Sequence, residues 1–564
     1  MSSNMILSGG GRQDADYKRL AVAVAAIGLL IAIAAAFAWG IPMVAGWVHA
    51  GTLPRLGLID AARALTDGEL LGPAPGRAYP RPVGALLPDA REFRLIAVLT
   101  VIGLLASVFA VGREIEIRMS RQAADRRWWQ LRGRRPQEFG RYRTVREMIV
   151  TGRSPDHLIV GHIARPRAAV AVSRLAQLAV VAAPRTGKSS GLVIPAILEH
   201  EGPIVTTSVR ADILDHTLAR RRALGRVWVW DPFGADTDSW DLLHGCERWE
   251  HALLVARWLG HAQTLGQGGN QEYFDQEAEN LMAPYLHAAA LTPDVTAAGV
   301  YRWILGRELD QPLSILRDAG AVDACERLKS VYAYTDRQRD GILGTAAIYL
   351  KAYGHPAAER TARRSGGVTP EELADGPNAL YIVAGREHQQ LLAPLVVTML
   401  SSLLHWLSER ENRTGEALAP SALFALDETA SIAPIQDLPQ ILATCLGSGV
   451  RFMTVWHSIS QIHRTFGEEA AAEILALSQA KVFMGSITDP LTRREIVDLL
   501  GHDQRSRRSG RLPYAVDVMT SQALQRMTAG EGLLVNGQLA PVIFRQRRHY
   551  LDPDLRRLKS ASAS

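Results

Sequence analysis

LAVVAAPRTGKSSGLVIPAILEH, residues 178–200, is the stretch whose reading decides the rest. Its uncharged opening, residues 178–183, reads as a buried strand; a turn follows through Gly187, and Lys188-Ser189-Ser190 open a segment with helical spacing. A strand, a glycine turn and a helix start in that order make a phosphate-binding loop. Backbone N–H groups converge inward, the helix N-terminus lies behind them, a lysine reaches the β and γ phosphates, and a hydroxyl ligates Mg2+. The candidate loop residues are Ala183, Pro184, Arg185, Thr186, Gly187, Lys188, Ser189 and Ser190, with Lys188 as the phosphate cation and Ser189 as the metal hydroxyl. Ala182 stands where the pattern G-x-x-x-x-G-K-[ST] has its first glycine. The competing reading is a chance Thr-Gly-Lys-Ser in a turn.

Such a loop needs a second half. SALFALDETASIAPIQDLPQIL, residues 421–442, supplies an apolar strand ending at Asp427-Glu428. In phosphoryl transfer the first carboxylate holds Mg2+ and the second orients and polarises the attacking water. Asp427 is therefore a candidate metal residue and Glu428 a catalytic one; the plainer reading is a charge pair at a strand end. The strand 450–456 runs into His457, a candidate sensor of the γ phosphate or a histidine satisfied locally. Further strands are expected at 202–209, 226–234 and 376–387, with a long helix at 391–409. Between 249 and 353 strand signals fade and Ala- and Leu-rich helical spacing takes over. The expected fold class is α/β, a parallel sheet with helices on both faces, interrupted by an all-α insertion.

The chain has 564 residues, 47% of them hydrophobic, a formal net charge of +6, and three widely spaced cysteines without metal-ligand spacing. Neither a zinc site nor a disulfide framework follows, and a reducing compartment is expected. Residues 20–48 and 95–112 are uncharged runs, each able to cross a hydrocarbon core that takes about 20 helical residues. A signal peptide cleaved near Ala36-Phe37-Ala38 is the alternative for the first run. Arg113, Arg118, Arg121, Arg126, Arg127, Arg132, Arg134 and Arg135 follow the second and set that flank in the cytoplasm. With Trp128 and Trp129 they read as an interfacial segment against anionic lipid, or else as a nucleic-acid groove. The expected division is a cytoplasmic N-terminus (1–19), a transmembrane hairpin (20–48 and 95–112) around an external loop (49–94), a basic juxtamembrane segment (113–150), a nucleotide-binding domain (151–243 and 371–550), an all-α insertion (244–370) and a tail (551–564).

These features, with APRTGKSSGLVIP at 183–195, VWVWDPFG at 227–234, LDETASIAPIQDLPQIL at 426–442, SGVRFMTVWHSISQI at 448–462 and AKVFMGSITDPLTRREIVDLLG at 480–501, follow one family's order. The chain resembles the conjugative coupling proteins of type IV secretion, the TraG/TraD-like ATPases. The resemblance implies a RecA-like P-loop NTPase fold with ATP and Mg2+ as cofactors. It further implies a homohexamer anchored in the inner membrane by several spans, in contact with lipids and secretion-channel membrane components. Such an assembly uses hydrolysis to drive a relaxase-bound DNA strand, or secreted proteins, into the channel. The all-α insertion would contact substrate, and a neighbouring subunit would donate an arginine, for which Arg451 is a candidate. The family usually has Gln where His457 stands. A segregation-type double-stranded DNA translocase is one alternative; it would need a C-terminal winged-helix module for which little chain remains after Gly501. A non-catalytic membrane scaffold is the other; it would be expected to have lost Lys188 or Glu428.

Overall fold

The computed structural model describes residues 39–57, 60–61, 63–64, 73–100, 102–103, 145–150, 152, 157–163, 168–173, 176–261, 270–505 and 514–560. The cytoplasmic N-terminus, most of the first apolar run, the end of the second and nearly all of the arginine-rich segment lie outside them. The chain divides into two compact units, Met1–Arg134 and Arg135–Ser564.

In the first unit, helix Ile41–Ala50 stops at Gly51, which adopts the left-handed conformation and returns its N–H to Trp47 O. Residues 90–100 form a second helix. Between them the expected external loop packs rather than strays. Leu56, Tyr79, Val83 and Leu87 are buried with Ile41, Phe93 and Ile96, and the Trp39 indole donates to Leu56 O at 3.0 Å. Val44, Trp47, Val48, Leu95, Val98, Leu99 and Ile102 face outward.

The second unit is built on one sheet: β1 (Ile149–Val150), β2 (His157–His162), β3 (Ala169–Ser173), β4 (Leu178–Ala182), β5 (Ile204–Ser208), β6 (Val227–Trp230), β7 (Ala379–Val383), β8 (Ala422–Leu426), β9 (Val450–Trp456), β10 (Ala480–Met484), β13 (Glu531–Asn536) and β14 (Val542–Arg545). Strands β11 (His502–Arg505) and β12 (Tyr514–Asp517) pair separately. Strands β10, β4, β9, β8, β5, β7 and β6 lie side by side and parallel. From β10 the sheet continues antiparallel through β13, β14, β2, β3 and β1. The sheet is thus mixed, where a parallel one was expected. Only five residues join β13 to β14, enough for a hairpin and too few for the crossover that parallel pairing needs.

Parallel strands carry apolar side chains on both faces, and alternation along each sorts them into two cores. Val181, Val205, Trp228, Trp230, Phe424 and Trp456 face the long helix Gln389–Thr414 and the helices beyond it. Val180, Ala182, Ile204, Tyr381, Ala425 and Val455 face the helix after the phosphate loop and the C-terminal helix Pro553–Ser560. Gln389–Thr414 is long and apolar enough to cross a membrane, yet 72% of its apolar window is buried, as befits a core helix. From Trp249–His261 to Pro370–Ala374 the described residues form helices only, gathered around Asn270–Ala290, in which Leu281, Met282, Tyr285 and Leu286 are fully buried.

At the N-terminal edge of the parallel strands a cation is buried among backbone carbonyls. Arg221, fully buried on helix Asp212–Leu224, donates to His200 O (2.7 Å), Gly202 O (2.8 Å) and Pro377 O (2.7 Å). Burial draws its guanidinium down to about 10. His200 beside it donates Nε2–H to Ser421 O at 2.8 Å; burial, reinforced by Arg221 and Arg451, depresses its pKa to about 3. Arg221→Met should cost about 3 kcal/mol or more, because several buried carbonyls lose their donor together. Chemical denaturation followed by tryptophan fluorescence measures this, and an unchanged midpoint would refute the role.

The His200 ring stays neutral in the fold, while in the unfolded chain it takes a proton near 6.5. The unfolded state therefore binds more protons from about 6.5 down to about 3; the stability is complete above this window and is lost as pH falls through it. His200→Gln should flatten the fall of the denaturation midpoint between neutral pH and pH about 4.

Candidate nucleotide site

The C-terminal ends of β4, β8 and β9 are adjacent, so whatever follows each strand converges. After β4 the chain turns through Pro184 and Arg185, both exposed, and Thr186, which is buried. Arg185 (φ +65°) and Gly187 (φ +89°) take left-handed backbone, and Thr186 Oγ1 closes the turn on Ala183 O at 2.7 Å. Ala182 is still in the β4 ladder, paired with Met484, and has no positive φ. The departure from the glycine pattern is therefore accommodated by ordinary strand geometry. Lys188 and Ser189 then open a helix through Glu199 whose first turn is of the wide π type.

After β8 comes Asp427-Glu428. The hydroxyl of Ser189 donates to Asp427 Oδ2 at 2.8 Å. Lys188 Nζ lies 3.3 Å from Glu428 Oε1, 3.6 Å from Asp427 Oδ1 and 3.4 Å from His457 Nδ1. His457 Nε2 is 3.2 Å from Glu428 Oε2. One tautomer satisfies both ring contacts: Nε2–H donates to Glu428 and Nδ1 accepts from Lys188. The five residues singled out for chemistry are thus brought together. Glu428 takes φ +58° to do so, a left-handed conformation that costs a non-glycine residue about 1–2 kcal/mol.

The two carboxylates titrate in opposite directions. Hydrogen bonding from His457, aided by Lys188, holds Glu428 down to about 2 against its partial burial. Asp427 is the more buried; its carboxyl is pushed up by burial against the pull of Lys188 and Ser189. Asp427 Oδ1 is buried and accepts no hydrogen bond among the described residues, with Lys188 Nζ 3.6 Å away. A hydroxyl beside a carboxylate is an all-oxygen donor set of the kind Mg2+ takes.

Several supports escaped the motif reading. Thr207 Oγ1 donates to Asp427 O, and Thr429 Oγ1 donates to Leu426 O and accepts from Val455 N–H, so buried threonines fix the end of β8. Gln461 Oε1 accepts the His457 N–H at 2.8 Å. Gln546 Nε2 donates to Thr186 O at 3.0 Å from the far end of the sequence. Thr207, a threonine inside an apolar strand, hints at the first group; nothing local marks Gln546. Arg451 is 4% exposed and near the start of β9, at the opposite edge of the sheet from His457.

Residues 140–557 match the family described as type IV secretory system conjugative DNA transfer. Protein VirD4 of Rhizobium radiobacter is 22% identical over 326 residues, 55% of this chain and 46% of VirD4. A conjugal transfer protein TraG of Escherichia coli is 24% identical over 310 residues, 49% of this chain and 47% of TraG. The chain spans about half the length of these curated relatives. Among solved structures, the plasmid coupling protein TrwB in complex with ADP and Mg2+ superposes with a TM-score of 0.58 at 17% identity, over 73% of this chain and 94% of TrwB. At that identity the likeness establishes the fold. With three quarters of its length matched, the chain belongs to the type IV secretion conjugative DNA transfer family of coupling proteins.

Proposed function

We propose that the chain is a membrane-anchored ATPase that recruits DNA, carried by a relaxase, and drives it into a type IV secretion channel. The observation that carries this is the convergence of Lys188, Ser189, Asp427, Glu428 and His457 at the C-terminal ends of the parallel strands. Loop N–H groups of 183–190 cradle the phosphates, and Lys188 leaves its carboxylates for the β and γ phosphates. Ser189 and Asp427 would hold Mg2+, which when bound neutralises phosphate charge. Glu428, fully ionised at neutral pH, accepts a hydrogen bond from the attacking water and polarises it. His457 keeps Glu428 ionised and stands where it can register the γ phosphate. TrwB's complex with ADP and Mg2+ supports this choice of cofactors.

The apolar faces of Val44, Trp47 and Val48, and of Leu95, Val98 and Leu99, support anchoring through a hairpin spanning 20–48 and 95–112, with the ATPase part in the cytoplasm and lipids against the arginine-rich flank. Family membership supports a homohexamer in contact with channel components, and the helices of 244–370 as the part that meets cargo.

Lys188→Ala in the full-length, detergent-solubilised chain should weaken both ATP binding and turnover. Glu428→Gln keeps the side chain's size but loses its charge: ATP should still bind, while turnover falls by about two orders of magnitude or more, the loss expected for a group worth ~3 kcal/mol. Turnover by Glu428→Gln at the unmodified rate, with DNA present and protein concentrated enough to assemble, would remove Glu428 from the chemistry.

Binding to DNA should depend weakly on sequence and fall steeply with rising salt, because each phosphate neutralised releases counterions. A filter-binding titration from low to physiological salt measures the slope. Salt-insensitive binding, or none, would turn the reading toward protein cargo.

A further inference from the structure

β14 ends at Arg545, and the next residue lays its side chain on the phosphate loop. The backbone of Gln546 is pinned first: its N–H donates to Gly530 O at 2.9 Å. Its Nε2 then donates to Thr186 O at 3.0 Å, while its Oε1 is sealed from solvent and accepts no hydrogen bond among the described residues. A Cβ added to Gly187 or to Gly191 would come within 2.8 Å of that oxygen. Gly187 needs its freedom for a positive φ; Gly191 has no such φ, and the room it leaves is filled by the Gln546 amide. A second tie follows, since the His549 N–H donates to Ser190 O at 3.0 Å.

In a planar trans peptide the C=O and the following N–H point in opposite directions. Fixing Thr186 C=O outward onto Gln546 therefore fixes Gly187 N–H toward the hollow of the loop. The carboxylates and His457 approach from the β9 and β8 side of β4, whereas Gln546 approaches from the side of β10, β13 and β14. We propose that Gln546 is a positioning residue: its amide latches the Thr186–Gly187 peptide so that the loop is set for phosphate before any nucleotide arrives. The proposal rests on residues 183–190 being a nucleotide site. It assigns Gln546 to the affinity for the phosphate chain and leaves the hydrolytic step to the other flank.

The test uses the full-length, detergent-solubilised chain and Gln546→Met, which keeps the side chain's reach and loses the donor. Two readouts are taken. In nucleotide-free protein, amide hydrogen exchange across 183–191 should quicken in the variant. With MgATP, the dissociation constant should rise about fivefold to tenfold, the factor for one lost hydrogen bond, while turnover at saturating ATP stays within about twofold. Unchanged exchange overturns the latch whether or not nucleotide binds. Faster exchange in a protein that binds no MgATP in either form upholds the latch and overturns the nucleotide reading. Turnover falling in step with affinity overturns the assignment to binding alone. Gly191→Ala should weaken MgATP binding by itself and cost less in the Gln546→Ala background; strictly additive effects would overturn the wedge between the glycines.

Discussion

Ser189 and Asp427 are 238 positions apart and share a 2.8 Å hydrogen bond; the rest of the second unit is arranged so that this bond can exist. A hydroxyl at the start of one helix and a carboxylate at the end of another strand meet only if both strands run the same way and end at the same edge. Parallel pairing of β4 with β9 and of β9 with β8 meets that condition, and the cost of parallel pairing is that both faces of the sheet need covering. The two apolar cores, one under each layer of helices, are the consequence.

The same edge explains why neighbouring carboxylates differ. Asp427 is the first residue after β8, and its side chain stays among buried groups; Glu428, turned by its positive φ, reaches a histidine and a lysine. Adjacent residues thus carry one carboxylate whose pKa burial raises and one held firmly ionised. The left-handed conformation at Glu428 thus serves electrostatics as well as geometry, which accounts for strain being retained at this position.

Residues 178–200 and 421–457 made β4, β8, β9 and all five clustered side chains legible, because each element there is local: an apolar run, a breaker, a chemical group at the end. The antiparallel extension was not legible, since strand direction depends on connection length and pairing partner rather than on composition. The compact turns at 73–89 hid in Pro- and Gly-rich sequence that reads as loop. Gln546 and Arg221 were invisible for a further reason. Each works through backbone carbonyls brought near only by the finished fold, so no neighbour in sequence advertises the contact.

The helical excursion shows why so large an insertion leaves the site undisturbed. The chain departs after β6 and returns at β7, and these two strands are paired in register, Val227 with Ala379. The seam is closed independently of what lies between: Asn378 Oδ1 accepts Arg226 N–H at 2.8 Å, Ala379 N–H donates to Arg226 O at 2.9 Å, and Arg221 grips Pro377 O from the preceding helix. Loop-closure entropy rises only slowly with the length enclosed, so a connection whose ends are already held together tolerates a domain-sized insert at little expense to the sheet. β6 is moreover the edge strand, five places along the sheet from β4. An element inserted there can vary while the loop 183–190, the two carboxylates and the Gln546 contact keep their geometry.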